Sequence, residues 1–364
     1  MSGVRAACFP CATNLGATFD VGIAHRVGLE VAKEAKTKSA HVLLGPTLNL
    51  VRSPLGGRNY ETFSEDPVVL GNLSGAYVQG CESQGIAATP KHFVANDAEN
   101  QRKKLSVEVD EQTLREIYLL PFQILFKRHE PMCLMTPYNK INGTYVADDP
   151  RLLNGVVRGE WGFKGLIMSD WLATYSTAAC LNAGMDLEMP GPTIFRGDKL
   201  EKAVSAGEVT EKTITDSARR TLKLISNLGR FEDPKEYPEK EAVNPDRDEF
   251  IAAASADGMV LLKNDGGVLP LSPKASVAVI GHFGDKPSLG GGGSARVDAL
   301  RAIAPLTGIK EAGYHTIYSE GIPVFGALPP ALSEVLFPFG SREASPTPGW
   351  NGIMATKSAK TLPL

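Results

Sequence analysis

Apolar residues in this chain fall into short runs separated by longer stretches in which they recur every three or four positions. The runs at residues 41–45, 85–89, 132–136, 165–168 and 185–189 are too brief for helices and predict buried strands. Asp66-Pro67 and Asp149-Pro150 each predict a helix start, with an aspartate cap and a proline at the first helical position, where its missing N–H costs nothing. Across 110–128, Leu114, Ile117, Tyr118 and Leu125 recur near helical spacing, with Pro121 placed to kink the helix.

Strands alternating with helices predict βαβ units and a parallel sheet, in the α/β class. A long series of such units suggests a (β/α)8-type, TIM-like barrel over residues 1–231, although the pattern alone also allows an open doubly wound sheet. From 232 to 249 the pattern gives way to charges and prolines (Pro234, Pro238, Pro245), the composition of a linker. A second α/β unit is expected over 250–326, with a helix through Ala252 and Asp257, a turn at Gly266-Gly267 and a strand from Val277 to Ile280. Six prolines from Pro329 to Pro363 make 327–364 a divergent tail rather than one packed element.

Composition narrows the class. With 43% hydrophobic and 22% charged residues, the 364-residue chain is an ordinary globular protein of about two domains. Its 38 basic and 41 acidic residues leave a net charge of -3 and no broad basic surface for nucleic acid. No window reaches the ~18 continuous apolar residues of a membrane span, and the first twenty positions lack the apolar core of a secretion signal. As written the chain is expected to stay in the cytosol; if secreted, Asn72-Leu73-Ser74 and Asn142-Gly143-Thr144 are glycosylation sequons. Five cysteines, an odd number in a long chain, do not read as a disulfide framework. Oligomeric state is not encoded in these features.

In a parallel barrel the working residues sit just past the C-terminal strand ends, where the βα loops form a mouth. Those positions carry Arg58, Lys91-His92, Tyr138 and Ser169-Asp170-Trp171. Charged donors and acceptors can bind sugar hydroxyls, an aromatic face can cover the C–H surface, and a carboxylate can attack an anomeric carbon. Each residue also has a plainer explanation. Arg58 could be tied to Glu61 or Glu65, Lys91 and His92 could lie on a solvated loop, Tyr138 could be a surface phenol and Trp171 a core ring. Asp170 is harder to explain that way, because it directly follows the apolar run Gly165-Leu166-Ile167-Met168.

Four segments together resemble glycoside hydrolase family 3, and Leu43 with Gly45-Pro46, Leu55-Gly56-Gly57 and Asp186-Leu187-Glu188-Met189-Pro190-Gly191 are most similar to its fungal β-glucosidases. Gly165-Leu166-Ile167-Met168-Ser169-Asp170-Trp171 resembles the nucleophile signature, and Lys91-His92-Phe93 the sugar-binding pair. Residues 57–67, from Gly57-Arg58-Asn59 to Glu65-Asp66-Pro67, resemble the arginine loop, and residues 135–143, with Tyr138-Asn139 and Asn142-Gly143, the Tyr-Asn-x-x-Asn-Gly loop. The resemblance implies a retaining β-glucosidase with Asp170 as nucleophile and Arg58, Lys91, His92, Met135, Tyr138 and Trp171 as substrate contacts. It implies a small carbohydrate partner, no cofactor and no metal. It further implies a barrel lacking its first elements, an Asp-Gly-Pro loop among them, followed by the start of an α/β sandwich without a recognisable acid/base glutamate. A sugar-binding or non-folding remnant, and a β-xylosidase or β-N-acetylglucosaminidase of the same family, remain the alternatives.

Other patterns carry less. Cys8-Phe9-Pro10-Cys11 has redox spacing but no preceding strand, and Gly281 and Gly284 have the wrong spacing for a dinucleotide loop. The glycines from Gly290 are better read as a close approach to the mouth. The six histidines show no metal-ligand spacing, and Asp186 and Glu188 read as structural caps near Pro190.

Overall fold

A computed structural model describes residues 3–322; the tail expected at 327–364 lies outside them. The described residues divide into two compact units, 3–268 with Leu289–Ala302, and Leu269–Ser288 with 303–322.

In the first unit, helix α1 (Val21–Thr37) starts at Asp20, whose carboxylate accepts from Gly22 N at 2.6 Å and Ile23 N at 3.3 Å. Strand β1 (Val42–Leu43) follows. Helix α2 (Pro67–Glu82) starts as the sequence predicts, with Asp66 accepting from Val68 N at 2.7 Å and Val69 N at 2.9 Å and Pro67 leading the first turn. The two helices meet backbone to backbone. A β carbon on Gly80 would lie 2.0 Å from the His25 carbonyl oxygen, and one on Gly28 2.1 Å from that of Tyr77, so only glycine fits at either crossing point.

Strand β2 (Ala87–Ala88) pairs parallel with β1. Helix α3 (Leu120–Arg128) leads to β3 (Cys133–Thr136), and β3 pairs parallel with β4 (Leu166–Ser169) over four residues. Beyond β2 the chain stays attached to β3, since Met135 N donates to Pro90 O at 3.1 Å and Phe93 N to Met135 O at 2.7 Å. The result is a parallel wall with strands in chain order and helices between them, of the barrel type. Phe93, Phe122, Leu134, Leu152 and Ile167 fill the core between wall and helices.

Two local expectations need correction. The run at 185–189 forms no strand. Only Leu187 bridges Met168, because Ile167 N, which would continue the ladder, donates to the Asp186 carboxylate at 2.9 Å. The stretch 110–128 is not one kinked helix. Asp110 caps Glu111–Thr113, Leu114–Tyr118 is a π-helical turn closed by Leu119 N donating to Leu114 O at 2.8 Å, and α3 resumes at Leu120. Pro121 has no N–H for the Ile117 carbonyl, and the wider turn takes up the mismatch.

Helix α4 (Glu211–Asn227) packs against β4, and α5 (Pro245–Asp257) belongs to the first unit, where Arg247 and Glu34 form a buried ion pair and Phe250 joins an apolar cluster with Leu15, Val27 and Leu70. In the second unit, β5 (Ser276–Ile280) and β6 (His315–Ser319) pair parallel over five residues, with helix α6 (Pro305–Glu311) between them in the chain. All five cysteines are free thiols. Among the described residues, no helix is long and apolar enough to cross a membrane.

Candidate active site

A cavity of about 490 Å³ lies at the C-terminal ends of the parallel strands. Arg58, Lys91, His92, Met135, Tyr138, Asp170 and Trp171 all line it. Each is delivered by the loop after a strand: Arg58 after β1, Lys91 and His92 after β2, Tyr138 after β3, Asp170 and Trp171 after β4. Met135 is the exception, reaching the cavity from within β3 as part of its almost fully buried floor.

Asp170 stands at the centre. Its Oδ1 accepts from the Tyr138 hydroxyl at 3.1 Å and from Trp171 N at 2.6 Å. Its Oδ2 lies 3.3 Å from His92 Nε2. Arg58 Nη1 reaches His92 Nε2 at 3.2 Å, which closes a compact group of Arg58, His92, Asp170 and Tyr138.

Electrostatics follow from burial. His92, 2% exposed, is held well below its ordinary value by loss of solvent, reinforced by Arg58, Lys91 and Arg102. Burial also lowers Lys91, against the pull of Glu61. The Tyr138 phenol is pushed up to about 12 by burial and then by Asp170, so it stays protonated as a donor. For Glu61, burial acts to raise the carboxyl, but the hydrogen bonds and charge of Arg58, with Lys91, outweigh it and hold it below the usual carboxylate range.

The plainer explanations divide. Arg58 is indeed tied to Glu61, by two hydrogen bonds of 2.8 Å, yet the pair lines the cavity rather than the outer surface. Lys91 and His92 are not on a solvated loop, Tyr138 is buried, and Trp171 sits 39% exposed at the rim instead of in the core.

Several lining residues escaped the sequence reading. Glu99 holds Arg102 at 2.6 Å, and the Arg102 guanidinium lies 4.5 Å above the Tyr138 ring. Both belong to the charged stretch after Asn96, which reads as an exposed loop; nothing in its spacing marks it. The glycines from Gly290, by contrast, reach the mouth as the sequence suggests: Gly291, Gly292, Gly293 and Ser294 form another edge, where Tyr60 OH donates to Gly292 O at 3.1 Å and a β carbon on Gly291 would lie 2.2 Å from the Tyr60 ring. Glu188 accepts from the Thr193 hydroxyl and from Ile194 N at 2.5 and 2.8 Å, a cap as expected, whereas Asp186 caps nothing and pairs with Arg158 and Arg220.

The fold and cavity define a barrel protein with a polar ligand site at its strand ends. Residues 1–224 match the Glycosyl hydrolase family 3 N terminal domain and residues 259–356 the Glycosyl hydrolase family 3 C-terminal domain. The chain belongs to glycosyl hydrolase family 3. It is 48% identical over 320 residues to Probable beta-glucosidase J of Emericella nidulans, covering 88% of this chain and 38% of that one. A beta-glucosidase of Rhizobium radiobacter is 48% identical over 314 residues, with 86% and 38% covered. The crystal structure of a beta-glucosidase from Kluyveromyces marxianus in complex with glucose superposes with a TM-score of 0.85 at 36% identity, covering 94% of this chain and 43% of that one. The chain thus spans about two fifths of the length of these relatives. The family's N-terminal domain is a TIM-barrel-like fold followed by an α/β sandwich domain, the order seen here.

Proposed function

We propose that this chain carries the glycone pocket and nucleophile of a retaining β-glucosidase acting on terminal β-D-glucosyl residues of cello-oligosaccharides and aryl glucosides. The observation that carries the reading is Asp170. A strand end sets its carboxylate in a sugar-sized cavity, with Oδ1 fixed by two donors. The relatives' names and the glucose bound in one of them support glucose as the sugar.

Asp170 attacks the anomeric carbon, the C–O bond to the aglycone breaks, and a covalent glycosyl-enzyme results. A second carboxylate, about 5–5.5 Å away in retaining enzymes, protonates the departing oxygen and then activates water. Glu61, held ionised against Arg58, is unsuited to that proton donation, and Glu99 is bound to Arg102. The acid therefore comes from outside this lining. Arg58, Lys91, His92 and Tyr138 grip the hydroxyls, Met135 floors the pocket and Trp171 forms its wall.

A panel of nitrophenyl glycosides tests the specificity. Nitrophenolate release from the β-glucoside, with glucose or gluconolactone raising the melting temperature, is the expected result. Preference for the xyloside or N-acetylglucosaminide would move the chain to another specificity of the family, and stabilisation by sugar without any nitrophenolate release would make it a binder.

A further inference from the structure

Asn49 lies in the loop after β1, outside the main cavity's lining, and is 6% exposed. It is bound to His92 three times. Its Oδ1 accepts from His92 N at 3.1 Å and faces His92 Nδ1 at 2.8 Å, while its Nδ2 donates to His92 O at 3.0 Å. The Thr62 hydroxyl anchors the Asn49 carbonyl at 2.5 Å.

This arrangement leaves no freedom over which amide atom faces which. A backbone carbonyl only accepts and a backbone N–H only donates, so the amide nitrogen must face His92 O and the amide oxygen His92 N. That same oxygen faces the ring, and an acceptor there requires the proton on Nδ1. A neutral ring then presents a lone pair at Nε2, which accepts from Arg58 Nη1 at 3.2 Å in the sugar-free site and is the ring atom that can accept from a sugar hydroxyl instead. Asp170 Oδ2, 3.3 Å from Nε2, receives no proton from it.

The geometry points to Asn49 as a positioning residue for the reaction: it locks His92 in the Nδ1–H tautomer, which keeps Oδ2 of Asp170 free of a donor and available to attack. The opposite tautomer, or an imidazolium, would put an N–H on Oδ2 and tie up its lone pair. Oδ1 is already occupied by Tyr138 and Trp171, so Oδ2 is the oxygen that forms the bond to the anomeric carbon. The charged groups around the ring are Arg58, Lys91, Arg102 and Asp170, with Glu61 and Glu99 behind Arg58 and Asp97 lining the small pocket beside Asn49 and His92. The attack step rests on Asp170 being the nucleophile, whereas the tautomer does not.

The test uses the full chain with 15N-labelled histidine. Long-range 1H–15N correlation at pH 7, with the signal assigned through His92→Gln, is expected to show a protonated Nδ1 and an unprotonated Nε2 in the wild type. Asn49→Asp keeps an acceptor toward Nδ1 but adds a charge, which raises the imidazole's affinity for a second proton. Formation of an adduct from dinitrophenyl β-glucoside should then be roughly tenfold slower below the raised imidazole value, since a hydrogen bond onto a charged oxygen must be broken for attack. It should recover as the pH climbs, while the wild type stays flat over the same range. A merely structural asparagine would lower the melting temperature of this variant and leave the profile flat. Protonated Nε2 in the wild type, or an Asn49→Asp profile like the wild type's, overturns the lock. A folded wild-type chain with Nδ1–H on His92 that forms no adduct supports the lock and overturns instead the assignment of Asp170 as nucleophile.

Discussion

Asp186→Ala is expected to cost about 3–5 kcal/mol of folding stability, the usual consequence of removing one partner from a buried ion pair. The Asp186 side chain is fully buried. It pairs with Arg158 at 2.8 Å through Oδ2 and with Arg220 at 2.8 Å through Oδ1, and also accepts from Ile167 N at 2.9 Å. Truncation leaves two largely buried guanidinium groups without their counter-charge and a strand N–H without its acceptor. Arg158 keeps its bonds to the carbonyls of Gly165 and Gly184 at 3.2 and 3.0 Å, so the loss falls mainly on charge compensation. Against a typical total of about 5–15 kcal/mol, the loss consumes much of the barrel's margin. Denaturant titration measures it; a change below about 1 kcal/mol, as for an exposed pair, would contradict the account.

Asp186 also shows where the sequence stops being informative. Its partners lie 28 and 34 residues away, on a π-type helix (Arg151–Glu160) and on α4, at no spacing that a helix or strand period reveals. The same limit hid Asn49, which reaches His92 across 43 residues; Glu99 and Arg102 are only three residues apart, but their charges look solvated until the fold turns them inward. Lys91, His92, Tyr138 and Asp170 could be picked out because parallel strands buried on both faces are continuous apolar runs, and the residue just past such a run is aimed at the mouth. The caps at Asp20 and Asp66 are local, which is why Asp66 could be read ahead; the π turn at Leu114–Tyr118 depends on how Pro121 is accommodated and could not.

The second large effect concerns the sugar. Lys91→Ala and His92→Ala should each weaken glucose binding by about 1–3 kcal/mol relative to Cys11→Ala, because a buried hydroxyl left without its partner costs that much. In dissociation constants this is roughly a fivefold to hundredfold rise. Lys91 is nearly enclosed, its side chain 14% exposed and its ammonium 3.9 Å from Glu61. Cys11 is exposed and does not line the cavity, which makes it a fair reference. Calorimetric titration with glucose reads the difference, and equal losses in all three variants would argue against this cavity as the sugar site.

Mass spectrometry of the chain after mixing with dinitrophenyl β-glucoside tests the central assignment most directly. Dinitrophenolate leaves with its bonding pair and needs no proton, so glycosylation depends on the nucleophile and not on the acid. The wild-type chain is expected to gain one glucosyl unit, mapped to Asp170, that azide releases as glucosyl azide and that Asp170→Ala never acquires. A folded wild-type chain without the adduct, or an adduct that persists in Asp170→Ala, would contradict Asp170 as the attacking carboxylate.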